Sequence, residues 1–314
     1  MEGDHTLDQC TGRWHYSMKP SRFVRVHGGI SSRTGYTIWW RYGYCGRYGQ
    51  YGGTCHHLTR PQPGREASAR RFPNADTIPR IRQVRAKIYV AGGRVDRELE
   101  TLLDRYVAAQ LAGDSREALR VVLDDGVEAG IAIPTLYLDV LTAAQHRIGA
   151  LWQTNHISVA HEHVATGISQ LVLAHLYPLL PRAPLVGRRV LVSCIDSELH
   201  ELGGRMVADF FEMAGFTTRF LGSSLPTNDL IAMVREDQPD LLVLSVTMSP
   251  HLRGLSKAVL CLRDAVGDRL ALAVGGQAFE WDPSAIPAVG AEVYGRDATE
   301  SVSEARQLLL TDMP

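Results

Sequence analysis

Between residues 97 and 180 apolar side chains return every three or four positions, and after residue 186 short apolar runs alternate with amphipathic stretches. The first pattern belongs to helices with one inward face. Leu99, Leu102, Leu103, Tyr106, Val107 and Leu111 predict a helix over 97–111. Gly113-Asp114 breaks it. Asp114, with Glu117 three positions on, reads as the N-cap of a second helix that carries Ala118, Leu119, Val122 and Leu123 until Gly126 and Gly130 interrupt. Pro134 suits the first turn of a third helix, where the N–H it lacks would have no partner. That helix carries Leu136, Leu138, Val140, Leu141, Ile148 and Leu151. A fourth is predicted from about Ser158 to Leu176, ending before Pro178. Four helices with short connections predict a four-helix bundle.

The second pattern is that of a sheet buried on both faces. Runs at 189–194 (RVLVSC), 217–221, 241–246, 270–274 and 291–294 read as five strands. Helical stretches lie between and after them, around 204–214, 228–236, 252–263 and 298–310. The fold class is therefore α plus α/β: a four-helix bundle, then a flavodoxin-like, doubly wound, five-stranded parallel sheet. The expected strand order is 2-1-3-4-5, with a ligand crevice at the carboxyl ends of the strands.

Composition separates a third segment from these two. Residues 1–85 hold 14 Lys and Arg against 5 Asp and Glu, whereas the remaining 229 residues hold 19 against 29. The basic segment is rich in Gly, Tyr, Trp and Arg and shows no apolar periodicity, so a disordered extension is expected. Stacking of its Arg and aromatic residues on nucleic acid is an alternative. A zinc site from Cys45, Cys55, His56 and His57 is the weakest option, for want of paired CxxC spacing. The expected divisions are 1–86 for the extension, 87–183 for the bundle and 184–314 for the α/β domain. Five scattered cysteines do not form a disulfide framework, and no long apolar run or leader-like start is present. A cytoplasmic protein without a membrane span is expected.

The chemistry concentrates after the first strand, in Glu198-Leu199-His200-Glu201-Leu202-Gly203-Gly204. Beyond Gly203, 41 residues lead to Ser245-Val246-Thr247 at the end of the third strand, and 27 more lead to Gly275-Gly276 at the end of the fourth. This constellation resembles the cobalamin-binding signature DxHxxG…SxL…GG. The resemblance implies that His200 is the lower cobalt ligand, displacing the cofactor's own dimethylbenzimidazole, and that the nucleotide tail enters the α/β domain. Imidazole suits cobalt, and an acidic neighbour can fix its tautomer. Gly203, Gly204, Ser245, Gly275 and Gly276 suit a narrow tail beside the backbone. Glu198 departs from the Asp of the family's enzymes, which changes the reach of the carboxylate towards His200. Thr247 stands where Leu is usual, a change expected to alter packing only.

The bundle carries a second pattern, Trp152 followed by nine residues and then Glu162-His163. It resembles the W-x9-EH motif of the CarH-like, B12-dependent photoreceptors, which sense light through adenosylcobalamin. The resemblance covers about 97–310. It implies that Trp152 and Glu162 pack on the adenosyl group, and that His163 takes the upper cobalt position once light has broken the Co–C bond. Glu198-x-His200 also resembles the ExHxxG form of that family.

The expected function is a non-enzymatic photoreceptor whose output is a change in self-association, as dimer or tetramer, or in binding to a downstream protein. Residues 1–85 show no recognition-helix pattern, so direct DNA binding is not expected. A branch of the family adds a bilin beside the cobalamin, which makes biliverdin a candidate second chromophore. The alternative is a corrinoid carrier of methylcobalamin for a methyltransferase, which the His200 motif fits equally well. A whole mutase would need a TIM-barrel domain that 314 residues do not supply.

Overall fold

The structure is a computed structural model that describes residues 97–310. The basic segment, its candidate zinc ligands and its expected disorder all lie outside the described residues.

Helix α1 (Arg97–Ala112) and helix α2 (Ser115–Val122) are joined by a tight turn, and Asp114 caps α2 by accepting from the backbone N–H of Arg116 and Glu117. Glu117 does not reach back in a capping box; it pairs with Arg120 and Arg105 on the surface. Gly126 does not end the helix. The chain continues in wider, π-type turns to Glu128. A Cβ on the buried Gly126 would stand 3.0 Å from a Leu136 methyl, so glycine there admits a close helix crossing. Helix α3 spans 133–153 and is also π-type over Leu136–Thr142, where the Thr142 hydroxyl donates to the Tyr137 carbonyl at 2.8 Å. Helix α4 (Val159–Leu176) starts at Ser158, whose hydroxyl accepts from the N–H of His161 while the Ser158 N–H donates back to His161 Nδ1. His161, with no expected role, thus caps its own helix.

The second half is a parallel sheet in the order β2-β1-β3-β4-β5. Its strands are β1 (Arg189–Cys194), β2 (Thr217–Phe220), β3 (Leu241–Ser245), β4 (Ala271–Gly275) and β5 (Val293–Tyr294). β1 and β3 are buried along almost their whole length, as strands with helices on both faces must be. The helices are α5 (Leu202–Met213), α6 (Thr227–Asp237), α7 (Leu252–Val266), α8 (Gln277–Trp281), α9 (Ala285–Val289) and α10 (Ala298–Leu310). The short α8 and α9 replace what the sequence pattern leaves as a loop between β4 and β5. Register places Cys194, Ser245 and Gly275 side by side at the carboxyl ends of the three central strands.

One apolar core runs through both halves, from Tyr106 and Val140 in the bundle to Phe210, Val192 and Val243 in the sheet domain. A polar bond crosses the same junction: the fully buried Tyr137 hydroxyl donates to Asp209 Oδ2 at 2.9 Å. The Tyr137 ring meets Phe210 edge to face, at 6.0 Å between centroids. Asp209 also accepts from Arg205, whose guanidinium lies over the Tyr177 ring. Among the described residues no helix is long and apolar enough to cross a membrane.

Candidate functional site

The loop between β1 and α5 is built around one carboxylate. Ser197 and Ser224 both adopt left-handed backbone conformations, uncommon for residues with a Cβ. They are tied together: the Ser197 N–H donates to Ser224 Oγ, and the Ser224 N–H donates to the Glu198 carbonyl. This turns the Glu198 side chain inward until it is fully buried. There Oε1 accepts from the N–H and Nδ1 of His200, at 3.1 and 2.5 Å. Oε2 accepts from the N–H of Thr247 and Met248, at 2.9 and 3.1 Å, and from His251 Nδ1 at 3.0 Å. The longer Glu side chain therefore makes the carboxylate–imidazole bond that an Asp makes in the signature. Thr247 contributes through its backbone N–H, which any residue at that position would supply.

Charge follows from this geometry. Burial opposes ionisation of Glu198, but the bonds from His200, His251 and the backbone outweigh it and hold the carboxyl at about 2. The hydrogen bond that His200 donates to Glu198 raises the His200 pKa against the effect of burial, with the charges of Glu198 and of Glu162 adding to it. Glu162 belongs to α4, so one residue of the bundle motif lies near enough for its charge to act on His200. A second link crosses nearby, where Gln170 Nε2 donates to Glu201 Oε1 at 3.2 Å.

The small residues divide by role. Gly276 has φ +114°, and a Cβ there would lie 2.3 Å from the Val246 carbonyl oxygen, so the turn after β4 requires glycine. A Cβ on Gly204 would meet the Phe220 ring at 3.2 Å and Cys194 Sγ at 3.4 Å, which is a helix-packing reason for its size. A Cβ on Gly275 would stand 3.3 Å from the Gly295 carbonyl oxygen, while one on Gly203 would meet open space. Ser245 is buried at the end of β3.

On the bundle side, Trp152 lies in the last turn of α3 and is 37% exposed, although it is one of the largest apolar side chains in the domain. The Glu162 carboxylate is mostly buried, accepts from Thr166 at 2.8 Å and lies 3.5 Å from His163 Nε2; the His163 side chain is 74% exposed. Among site residues, His251 is the one that sequence reasoning missed. Its available signal is position: it lies six residues past Ser245, in the loop leaving a central strand at the crevice.

The donor set suits a metal-centred cofactor. With Nδ1 of His200 engaged by a buried carboxylate, Nε2 is the nitrogen left for a metal, on a side chain 48% exposed. Cobalamin fits this chemistry, and the open side of Gly203 leaves room beside the loop.

Comparison with known proteins agrees. Residues 102–177 and 188–303 each match a family model described as a B12 binding domain. The chain is 23% identical over 217 residues to dimethylamine corrinoid protein 3 of Methanosarcina acetivorans, covering 68% of this chain and 99% of that protein. It is 31% identical over 180 residues to the HTH-type transcriptional repressor CarH of Myxococcus xanthus, covering 57% of this chain and 58% of the repressor. The solved monomethylamine corrinoid protein of Methanosarcina barkeri shares the fold, with a TM-score of 0.59 at 16% identity over 67% of this chain and 99% of that one. With a helical and an α/β B12-binding domain in succession, this chain is a cobalamin-binding protein.

Proposed function

We propose that the chain holds cobalamin between α4 and the loop after β1, with His200 Nε2 as the ligand on the lower face of cobalt. The observation that carries this is the 2.5 Å bond from His200 Nδ1 to a fully buried, five-times-bonded Glu198. It fixes the tautomer and the ring plane, and it makes Nε2 more basic. Ser245, Thr247, Gly275 and Gly276 form the strand-end wall beside the loop, and Gly203 leaves its open side. Bound there, cobalamin would supply a cobalt position at which a carbon ligand is held and released.

For the use made of that position, the relatives give broader support to a carrier of a one-carbon group for a methyltransferase. The corrinoid proteins match almost end to end, whereas the repressor matches over little more than half its length. A second reading, light sensing through an adenosyl upper ligand, is favoured by one specific observation. Trp152 stands partly uncovered at the end of α3, within ten residues of a mostly buried Glu162 carboxylate that lies 3.5 Å from the exposed His163 Nε2. In that reading Trp152 covers the upper group, Glu162 accepts its hydrogen bonds, and His163, already largely exposed, is the candidate replacement ligand. Its output would be a change in dimer or tetramer assembly or in binding to a downstream protein, and a bilin would be an added chromophore.

One experiment tests all of this. The apoprotein is loaded with methylcobalamin or adenosylcobalamin, with and without biliverdin, and spectra and size-exclusion profiles are recorded in the dark and under green light. A histidine-ligated spectrum that His200→Ala abolishes supports the lower ligand; an unchanged spectrum in that variant overturns it. A dark-stable adenosyl complex that changes both spectrum and elution volume in light supports the sensor. Light-indifferent elution, with the methyl group passed to an added thiol acceptor by a partner methyltransferase, supports the carrier. A long-red absorption band is required for the bilin.

A further inference from the structure

The bundle holds a set of polar side chains that the lower-ligand site does not use. Tyr106 and Gln110 lie one turn apart on α1, Gln145 lies on α3, and Glu162, Thr166 and Ser169 form one stripe of α4. Tyr106, Gln110 and Ser169 are essentially inaccessible to solvent. Polar groups in a bundle core cost stability unless they are paired, and apolar residues of similar size would pack there without that condition.

The pairing has a direction. The Thr166 hydroxyl donates to Glu162 Oε1 at 2.8 Å, so its oxygen accepts from Gln145 Nε2 at 2.9 Å. Gln145 Oε1 in turn accepts the Ser169 proton at 3.2 Å. Ser169 has then used its one hydrogen, so the Tyr106 hydroxyl, 2.9 Å away, must be the donor of that pair. Burial raises the Tyr106 pKa, against the lowering effect of the Ser169 bond, which keeps that proton in place. Every donor points along the path Tyr106, Ser169, Gln145, Thr166 towards the Glu162 carboxylate. Gln110 braces the middle: Nε2 reaches Gln145 Oε1, the Ala165 carbonyl and Ser169 Oγ, all at 2.9–3.0 Å. Its own Oε1 is buried without a partner. Turning the amide over would set an oxygen against two other carbonyl oxygens, so the orphaned atom is the lesser penalty.

We propose that this chain of hydrogen bonds is a positioning network that holds one oxygen of Glu162, so that the other, in the structure 3.5 Å from the exposed His163 Nε2, is presented to a hydrogen-bond-donating upper ligand of cobalamin, a nucleoside rather than a methyl group. The proposal rests on the reading that Glu162 faces the upper ligand. Thr166, Gln145, Ser169 and Tyr106 act through Glu162 and touch no ligand themselves.

The test is a dark titration of the whole apoprotein with adenosylcobalamin and, separately, with methylcobalamin, followed by visible absorbance. Thr166→Val and Gln145→Leu each cut the path with little change in volume, Thr166→Ser keeps the hydroxyl, and Tyr106→Phe removes only the far end. The expected result is a roughly tenfold weaker affinity for adenosylcobalamin in Thr166→Val and Gln145→Leu, with methylcobalamin unaffected. Thr166→Ser should bind as the wild type does, and Tyr106→Phe should lose about two- to threefold. If the wild type prefers adenosylcobalamin and both cut variants keep that preference, the network is overturned while the upper-face reading stands. Equal weakening of both cobalamins would reduce it to a structural role and also overturn it. A wild type that does not distinguish the two removes the reading itself, and the proposal with it.

Discussion

The two faces of the candidate site are built differently. Below, His200 is held by a carboxylate that is fully buried and fixed mostly from strand-end loops, three of its five bonds coming from backbone N–H groups. On the bundle side, Trp152 and His163 project from helices partly or largely exposed, and Glu162 is steadied by side chains alone. Backbone donors at the end of a packed parallel sheet cannot rotate away, whereas side chains on a helix keep rotamer freedom. On the proposed placement of cobalamin, the contrast corresponds to a preformed lower ligand and an upper face that a bound group would complete. That suits either use of the cofactor, since both require the upper position to change while the lower one stays.

The comparison can be broken first at Glu198. Glu198→Ala leaves two imidazoles and three backbone donors without their acceptor. It should destabilise the apoprotein by about 3 kcal/mol or more and weaken cobalamin binding by about 10–100-fold, as read by urea unfolding and absorbance titration. Near wild-type values would mean that the lower face is not preformed.

Next comes Gly276→Ala, which forces a Cβ against the Val246 carbonyl at an unfavourable φ. A loss of about 2 kcal/mol is expected, against a much smaller loss for Gly203→Ala, where the space is open.

Tyr137→Phe tests the junction between the two regions, because it removes one partner from the buried Asp209. A loss of about 1–2 kcal/mol is expected. Its pH dependence has a defined sign. Burial raises the Asp209 pKa despite the opposing effects of Arg205 and Tyr137, so the folded state binds this proton more tightly than the unfolded state does. Stability from this group is therefore present at low pH and falls as pH rises from the usual Asp value through the raised one. Losing the Tyr137 bond should steepen that fall in a pH series of unfolding midpoints.

The smallest effect is Trp152→Ala in the apoprotein, within about 0.5 kcal/mol of wild type because the side chain is already partly exposed. A large destabilisation would make Trp152 a core anchor and erase the contrast between the two faces.

Most of the elements could be read directly. The span of β1 and that of α10 match their apolar patterns, and the strand order follows from alternating strands and helices. Where the structure differs from the sequence pattern, the causes are local and distinct. Gly126 looks like a helix stop, but it lies in a continuing helix because Leu136 crosses there. The short helices α8 and α9 carry too few residues for periodicity to register. Glu198 looks like a departure from the signature, yet the strained turn at Ser197 and Ser224 places its carboxylate on His200.

By itself the sequence determined the two-part architecture, because periodicity in apolar positions is a local property of the chain. It also singled out the candidate ligand, through the resemblance of His200, Ser245 and Gly275-Gly276 to the cobalamin-binding signature. Only the tertiary structure decided what holds these residues. The bond from His251 to Glu198, the Tyr137–Asp209 bridge and the path from Tyr106 to Glu162 join residues 53, 72 and 56 positions apart. Such pairings depend on how packed elements meet, and no local pattern in the chain records that.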